Sequence, residues 1–269
     1  MKTLLAYLAL VYAVSWICFT TAPLGSPVFL LGVFAPSLVA IALTFAAHGR
    51  DGVVALLRPI AIVPAAWRWY AFAIGYMAAI KLSVALLIRI AAGAWPAFGD
   101  TPVYLMAGAL VLSTPVQAGE EIGWRAFVLP RLAVRVGLPL ASVVVGAIWA
   151  CWHLPLFYRP GADTFHQSFP VYFAGVTAIS VAMAWLYWRT GESLVATMLM
   201  HAAVNNTKDI VPSAGLVAPG VFALDASPAA LGAVALLWGC AAWFLVRMRG
   251  QRLWQGSERT VVAEPARPV

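Results

Sequence analysis

Two adjacent carboxylates and a guanidinium, Glu120, Glu121 and Arg125, stand in the stretch QAGEEIGWRAF. Further on come two imidazoles, His153 in GAIWACWHLPLF and His201 in LVATMLMHAAVNN, the second followed four residues later by Asn205. Carboxylates together with imidazoles are the equipment of general acid–base catalysis, of water activation with or without a metal, and of proton relays. Helical spacing sorts them. Glu121 and Arg125 are four apart with the acid N-terminal to the base, the favourable order for an intrahelical ion pair. Glu120 projects about 100° away from Glu121, out of that arginine's reach, and is left for other work. His201 and Asn205 share one helical face. Trp149, four residues before His153, either stacks over the imidazole or packs beside it. Cys151 lies about 200° around the helix from His153, which argues against a Cys–His nucleophilic pair. The other two histidines, His48 in AAHGRDG and His166 in DTFHQS, fall in stretches that read as solvated loops.

The elements that must position these groups read as membrane helices. Of 269 residues, 63% are hydrophobic and only 10% charged, against roughly a quarter charged in soluble domains. Apolar segments fall near 4–22, 27–47, 69–92, 103–122, 138–157, 169–188, 193–211 and 229–247, separated by charged or turn-rich breaks. They are long and continuous rather than alternating, which excludes a β-barrel. The fold class expected is therefore all-α, a polytopic bundle of about eight membrane helices in a single domain over 1–247, with a disordered cytoplasmic tail over 248–269. Residues 51–69, broken by Pro59 and Pro64, read either as an interfacial segment or as an ordinary connection. The first apolar run has the charged start of a signal peptide, but its length and the lack of a clean cleavage site favour an uncleaved span. Cys18, Cys151 and Cys240, odd in number and each in an apolar run, read as small buried hydrophobes.

A formal charge of +7 raises the question of nucleic acid, but the basic residues are scattered through the connections and form no dense cluster. Membrane orientation accounts for them. With the first helix starting in the cytoplasm, nearly all Lys and Arg outside helices fall on the cytoplasmic side. Both termini are expected there, and the span count is expected to be even.

An Asp, Lys or Arg near the middle of a spanning helix costs about 2.5–3.5 kcal/mol. The bland alternative is that GEEIGWR is a hydrated cytoplasmic helix end and that each histidine is a hydrogen-bonded packing residue. Depth argues otherwise. At 1.5 Å per residue, Glu121 lies roughly 15 Å from Arg131, His153 roughly 22 Å from Leu138 and His201 roughly 12 Å from Ser193, all counted from the cytoplasmic side. In a ~30 Å hydrocarbon core the three reach mid-membrane or beyond and can share one cavity.

Glu120-Glu121-x-x-x-Arg125, the aromatic-x-x-x-His formed by Trp149 and His153, and His201-x-x-x-Asn205 resemble, in order and spacing, the three motifs of the CPBP family of intramembrane proteases. That family includes type II CAAX prenyl endopeptidases and the Abi-like bacteriocin self-immunity proteins. The likeness covers about residues 103–210, with Trp149 standing where the family commonly has Phe. It implies an intramembrane endopeptidase acting on membrane-associated or lipidated peptides in a bacterial cell membrane, with the lipid bilayer and a peptide or lipidated protein as partners and no nucleic acid. It implies roles as well. Glu120, partly desolvated, is the general base for water, and His153 orients that water. His201 and Asn205 donate to the oxyanion, Arg125 holds Glu121, and Trp149 shapes the pocket. Zn²⁺ held by Glu120, His153 and His201 is the alternative to a metal-free water, although no HExxH is present. Three other readings compete: a proton- or ion-coupled transporter using the Glu/His cluster, a bis-His haem protein, and a non-catalytic scaffold.

Overall fold

The computed structural model describes residues 2–207, 210–212 and 220–253. Among them there is no strand, and the chain runs through ten α-helices: α1 (Lys2–Thr21), α2 (Pro27–Leu57), α3 (Trp67–Ala92), α4 (Val103–Ser113), α5 (Ala118–Glu121), α6 (Leu129–Val136), α7 (Leu138–Trp152), α8 (Phe169–Arg189), α9 (Leu194–Asn206) and α10 (Pro228–Arg247). Six stretches are long and apolar enough to cross a membrane: α1, α2 with the turn after it, α3, α7 with the turn after it, α8 and α10. This is a polytopic helical membrane bundle. Each of the eight apolar segments read from the sequence contains helix, that near 193–211 over Leu194–Asn206.

The two segments that fall short of full spans, near 103–122 and 193–211, carry Glu120, Glu121, His201 and Asn205, while Trp149 and His153 lie on the spanning stretch of α7. Pro115 has no N–H to give and crowds the preceding turn, so the helix tightens into a 3₁₀ turn at Pro115–Gln117. It then resumes as α5, widens into a π-helical turn over Ile122–Val128, and continues as α6. Helical backbone therefore extends past the expected end near residue 122 to Val136, and Glu120 and Glu121 lie halfway along the 103–136 stretch rather than at its end. α7 is shorter than the apolar run that encodes it. Pro155 cannot bond back to residue 151, so the helix stops at Trp152, with His153 as its C-cap and a 3₁₀ turn over Leu154–Tyr158.

α2 breaks at Gly49, whose φ of 61° a side chain would disfavour, and a further helical turn and a 3₁₀ turn at Arg58–Ala61 lead to α3. His48, expected in a solvated loop, belongs to α2 and is half-buried, because the helix continues to the glycine kink. His166 is exposed in a loop, as expected. Serines begin four helices: Ser26, Ser168, Ser193 and Ser227 each accept the N–H of the third residue on. Such caps matter most where lipid offers backbone donors no water.

The centre of the bundle is α8, buried without interruption from Gly175 to Tyr187. Its small residues, Ala178, Ser180, Ala182 and Ala184, let neighbours approach closely. It packs against α7, α9 and α10, while α1 lies on α2, α3 on α9 and α10, and α5 with the π turn on α2. The α7–α8 crossing is closest at Gly146, where a Cβ would sit 2.7 Å from Thr177 Cα. Ser180 spans the same crossing by donating to the Ser142 carbonyl at 3.1 Å. The cysteines are free, Cys18 buried and Cys151 and Cys240 half-buried. Of the expected tail, residues 248–253 lie against the bundle, with Met248 and Leu253 buried and Gly250–Leu253 beside the α6–α7 turn. Residues 254–269 fall outside the described residues.

The Gly146 contact gives a direct test. Gly146→Ala is expected to destabilise the protein by about 1–3 kcal/mol through overpacking against backbone. Gly75→Ala, with nothing within 4 Å of the added Cβ, is expected to be neutral or slightly stabilising. Thermal unfolding of both variants in detergent micelles makes the comparison.

Candidate active site

The glutamates are set by the backbone around them. Ser37 of α2 donates its hydroxyl to the Ala118 carbonyl at 2.5 Å. At the far end of the π turn the Leu129 N–H reaches back five residues to the Trp124 carbonyl. Gly123 lets α1 and α2 close on the turn, since a Cβ there would lie 2.5 Å from the Tyr7 hydroxyl and 2.7 Å from the Pro36 backbone. Tyr7 in turn donates to the Pro36 carbonyl at 3.1 Å. The first two helices thus form the wall against which the catalytic-type stretch is pressed.

Glu121 is fully buried and acts as a hub. Its Oε1 accepts from Arg125 Nη1 at 2.9 Å and from His201 Nδ1–H at 2.8 Å. The intrahelical pair expected from the i, i+4 spacing is present, and an imidazole from α9 joins it across 80 residues of chain. Arg125, also fully buried, places its other nitrogen 3.1 Å from Met183 Sδ on α8, and its guanidinium lies 4.6 Å from the centre of the Trp149 ring.

Trp149 joins this hub to the second carboxylate. Its indole N–H donates to Glu120 Oε2 at 2.7 Å, and His201 meets its ring edge-on at 5.0 Å. The relation to His153 differs from the face-stacking considered from the sequence: the rings are 5.8 Å apart and inclined at 61°. His153 Nδ1–H donates to the Trp149 carbonyl at 2.9 Å, and its ring is boxed by Trp152 and Tyr172. Both imidazoles therefore spend Nδ1 on the scaffold, which leaves Nε2 of each for chemistry.

Glu120, His153, His201, Asn205 and Trp149 line one cavity of about 260 Å³ inside the bundle. A second cavity of about 520 Å³, beneath the loop after α7, meets the first at Glu120, His153, Tyr172, Gln167 and Asn205. Neither is lined by Glu121 or Arg125. The six residues singled out as catalytic thus divide in two. Four face open space. Glu121 and Arg125 stand behind them and line neither of these two cavities, paired with each other inside the protein. The adjacent Asn206, by contrast, is occupied in holding α9 to α4 and to its own helix, through Ser113 Oγ at 3.0 Å and the Ala202 carbonyl at 2.8 Å.

The zinc set considered from the sequence, Glu120, His153 and His201, does not converge. Among the described residues no group of three or more His, Cys, Asp or Glu side chains is placed to hold a metal ion. Tyr172, Gln167 and Met183 gave no signal in the sequence, since their places depend on helix contacts that no local pattern encodes.

The fold and this site define a helical membrane protein with an acid–imidazole centre enclosed by its own helices. Residues 101–207 match the model of the Rce1-like family, described as type II CAAX prenyl endopeptidase Rce1-like. The matched segment contains all three motifs, those of Glu120-Glu121-x-x-x-Arg125, Trp149-x-x-x-His153 and His201-x-x-x-Asn205. CAAX prenyl protease 2 of Methanococcus maripaludis is 25% identical over 98 residues, which are 34% of this chain and 36% of that protein. The chain thus spans about a third of the length of the curated relative it matches.

Separating the partners of the hub tests its cohesion. Arg125→Ala and Glu121→Ala are each expected to cost about 3–5 kcal/mol by leaving a buried charge unpaired. The double variant is expected to lose clearly less than the sum, a coupling of at least about 1 kcal/mol. Unfolding measurements on the complete double-mutant cycle provide the check.

Proposed function

We propose that this protein is an intramembrane endopeptidase that hydrolyses peptide bonds of membrane-associated or lipidated peptides. The observation that carries the reading is the meeting of Glu120, His153, His201 and Asn205 on one cavity within the bundle. In this reading Glu120, steadied at Oε2 by the Trp149 N–H, takes a proton through Oε1 from a water molecule. His153, whose Nδ1–H is bound to backbone, accepts the water's other hydrogen at Nε2 and aims its lone pair at the scissile carbonyl. The water oxygen bonds to the carbonyl carbon, the C–N bond breaks, and Glu120 returns its proton to the leaving nitrogen.

The oxyanion of the tetrahedral intermediate is met by the Asn205 amide and by His201 Nε2–H, an interaction worth roughly 3–4 kcal/mol per donor in related chemistry. For His201 to donate there while Nδ1–H donates to Glu121, it must carry both protons. Glu121 at 2.8 Å is the counter-charge that form needs. Glu121 and Arg125 are positioning residues in this account.

The family match favours proteolysis over ion-coupled transport, and the name of the relative, CAAX prenyl protease 2, points to prenylated CAAX-type peptides as the first substrates to try. The described start of the tail lies by the end of α6, the helix that carries Arg131 and Arg135. This common basic end supports an orientation with both termini in the cytoplasm.

Purified protein in liposomes is expected to cleave an S-farnesylated CAAX peptide, and Glu120→Gln is expected to lower the rate at least 10²-fold while leaving the unfolding temperature close to wild type. A Glu120→Gln variant that cleaves at the wild-type rate would remove Glu120 from the mechanism.

A further inference from the structure

The two cavities share more than the residues given a role above. Among the described residues six line both of them: Glu120, His153, Asn205, Val204, Gln167 and Tyr172. The first three are the base, the water-orienting imidazole and an oxyanion donor of the proposed reaction, so the bond to be cut lies where the cavities meet. From that junction one arm, about 260 Å³, runs between α3, α8 and α10 past Met77, Val176 and Leu237. The other, about 520 Å³, runs beneath the loop after α7 towards Phe19 of α1 and Phe29 and Val33 of α2. A peptide cut in its interior has chain on both sides of the bond, and the junction offers one arm to each side.

Peptide backbone that enters such arms has a requirement of its own. Each residue brings an N–H and a C=O, and those that lose their water among apolar side chains must find a partner. At the junction two polar side chains take no part in the reaction. Gln167 gives its amide N–H to the Asp163 carbonyl of its own loop. Tyr172 differs: its ring and backbone are engaged, but its hydroxyl is bonded to no group among the described residues. Its place is fixed on three sides. It lies in the first turn of α8, and its N–H donates to the carbonyl of the N-cap Ser168 at 3.0 Å. Its ring meets Phe157 edge-on at 5.0 Å and His153 edge-on at 5.6 Å. The hydroxyl is thus carried by a ring already packed beside the imidazole that orients the water. A phenol can give one hydrogen bond and accept another, which suits either group of a peptide bond, and a ring held in advance loses little freedom on binding.

We propose that the peptide lies across the junction with one arm filled on each side of the scissile bond, and that the Tyr172 hydroxyl binds the backbone of an adjoining peptide bond. The inference rests on the proteolytic reading above and names the residue that sets the chain in register with Glu120. Tyr172 is a substrate-binding residue in this account, and it neither gives nor takes a proton in the reaction.

The test pairs Tyr172→Phe with S-farnesylated CAAX peptides in which the amide just before or just after the scissile bond is replaced by an ester, with cleavage at the scissile bond read by mass spectrometry. Tyr172→Phe keeps the ring against Phe157 and His153 and removes the hydroxyl alone. On the all-amide peptide it is expected to lower kcat/KM about tenfold, with the unfolding temperature and the pH profile close to wild type. In wild-type protein one of the two esters is expected to cost at least about fivefold, and the same ester to cost less than about twofold in Tyr172→Phe. An unchanged rate in Tyr172→Phe, no loss from either ester in wild type, or equal losses in both proteins would each overturn the inference and leave the proteolytic reading in place. A second measurement does not use that variant and carries the decision should it fail to fold. In Glu120→Gln, peptides with a photoreactive diazirine residue on one side or the other of the scissile bond are expected to label different segments, residues 152–167 from one side and α10 from the other. Labelling of the same segment from both sides would overturn the inference. Wild-type protein that cleaves no peptide at all removes the proteolytic reading, and this inference with it.

Discussion

A single oxygen atom, Glu121 Oε1, holds the site together. It accepts from the guanidinium of its own helix and from the imidazole of α9, and so fixes the α5–π-turn stretch to α9 at a depth where no solvent screens or replaces either bond. Charges inside hydrocarbon persist when they satisfy one another, and satisfaction of this kind demands geometry good to a few tenths of an ångström. The cost of burying Glu121 and Arg125 is thereby turned into rigidity. Trp149 extends that rigidity outwards, because the ring that covers Arg125 also gives its N–H to Glu120. The groups facing the cavity are thus positioned by a charged layer that the cavity never touches.

Much of this was legible in the residues. The Glu121–Arg125 spacing announces the pair, since four residues separate an acid from a following base on any helix, and here the pair survives even where the helix loosens into a π turn. The apolar runs gave the helices. Motif order gave the resemblance to the CPBP proteases, and the Rce1-like match falls on the same stretch. The depth arithmetic grouped Glu121 with His153 and His201; the two imidazoles do line one cavity, but with Glu120, while Glu121 lies behind it and is bonded to His201.

What escaped the sequence escaped for identifiable reasons. An indole has one N–H, and its direction follows from how α7 crosses α5, which no local pattern records; Trp149 was therefore weighed as a stacking or packing ring rather than as a donor to Glu120. The π turn has no compositional signature, and Gly123 reads as an ordinary helical glycine until Tyr7 and Pro36 are seen against it. Pro155 did carry a signal, a helix ending before residue 157, and the apolar run masked it. The separation of Glu121 and Arg125 from the cavity is a fact of burial rather than of spacing.

The π turn also fixes the phase of everything that follows it. A π turn holds one residue more than the α turn it replaces, so its removal would rotate the following helix by about 100° about its axis and shorten the stretch by about 1.5 Å. Pro130, Arg131 and Leu132 would exchange faces, and the start of α7 would be displaced with them. Trp149 and His153 would then approach Glu120 from a different angle. The loosened backbone between Ile122 and Val128 is accordingly a built-in angular offset, by which two helices of fixed pitch present an acid and a base to one another in alignment.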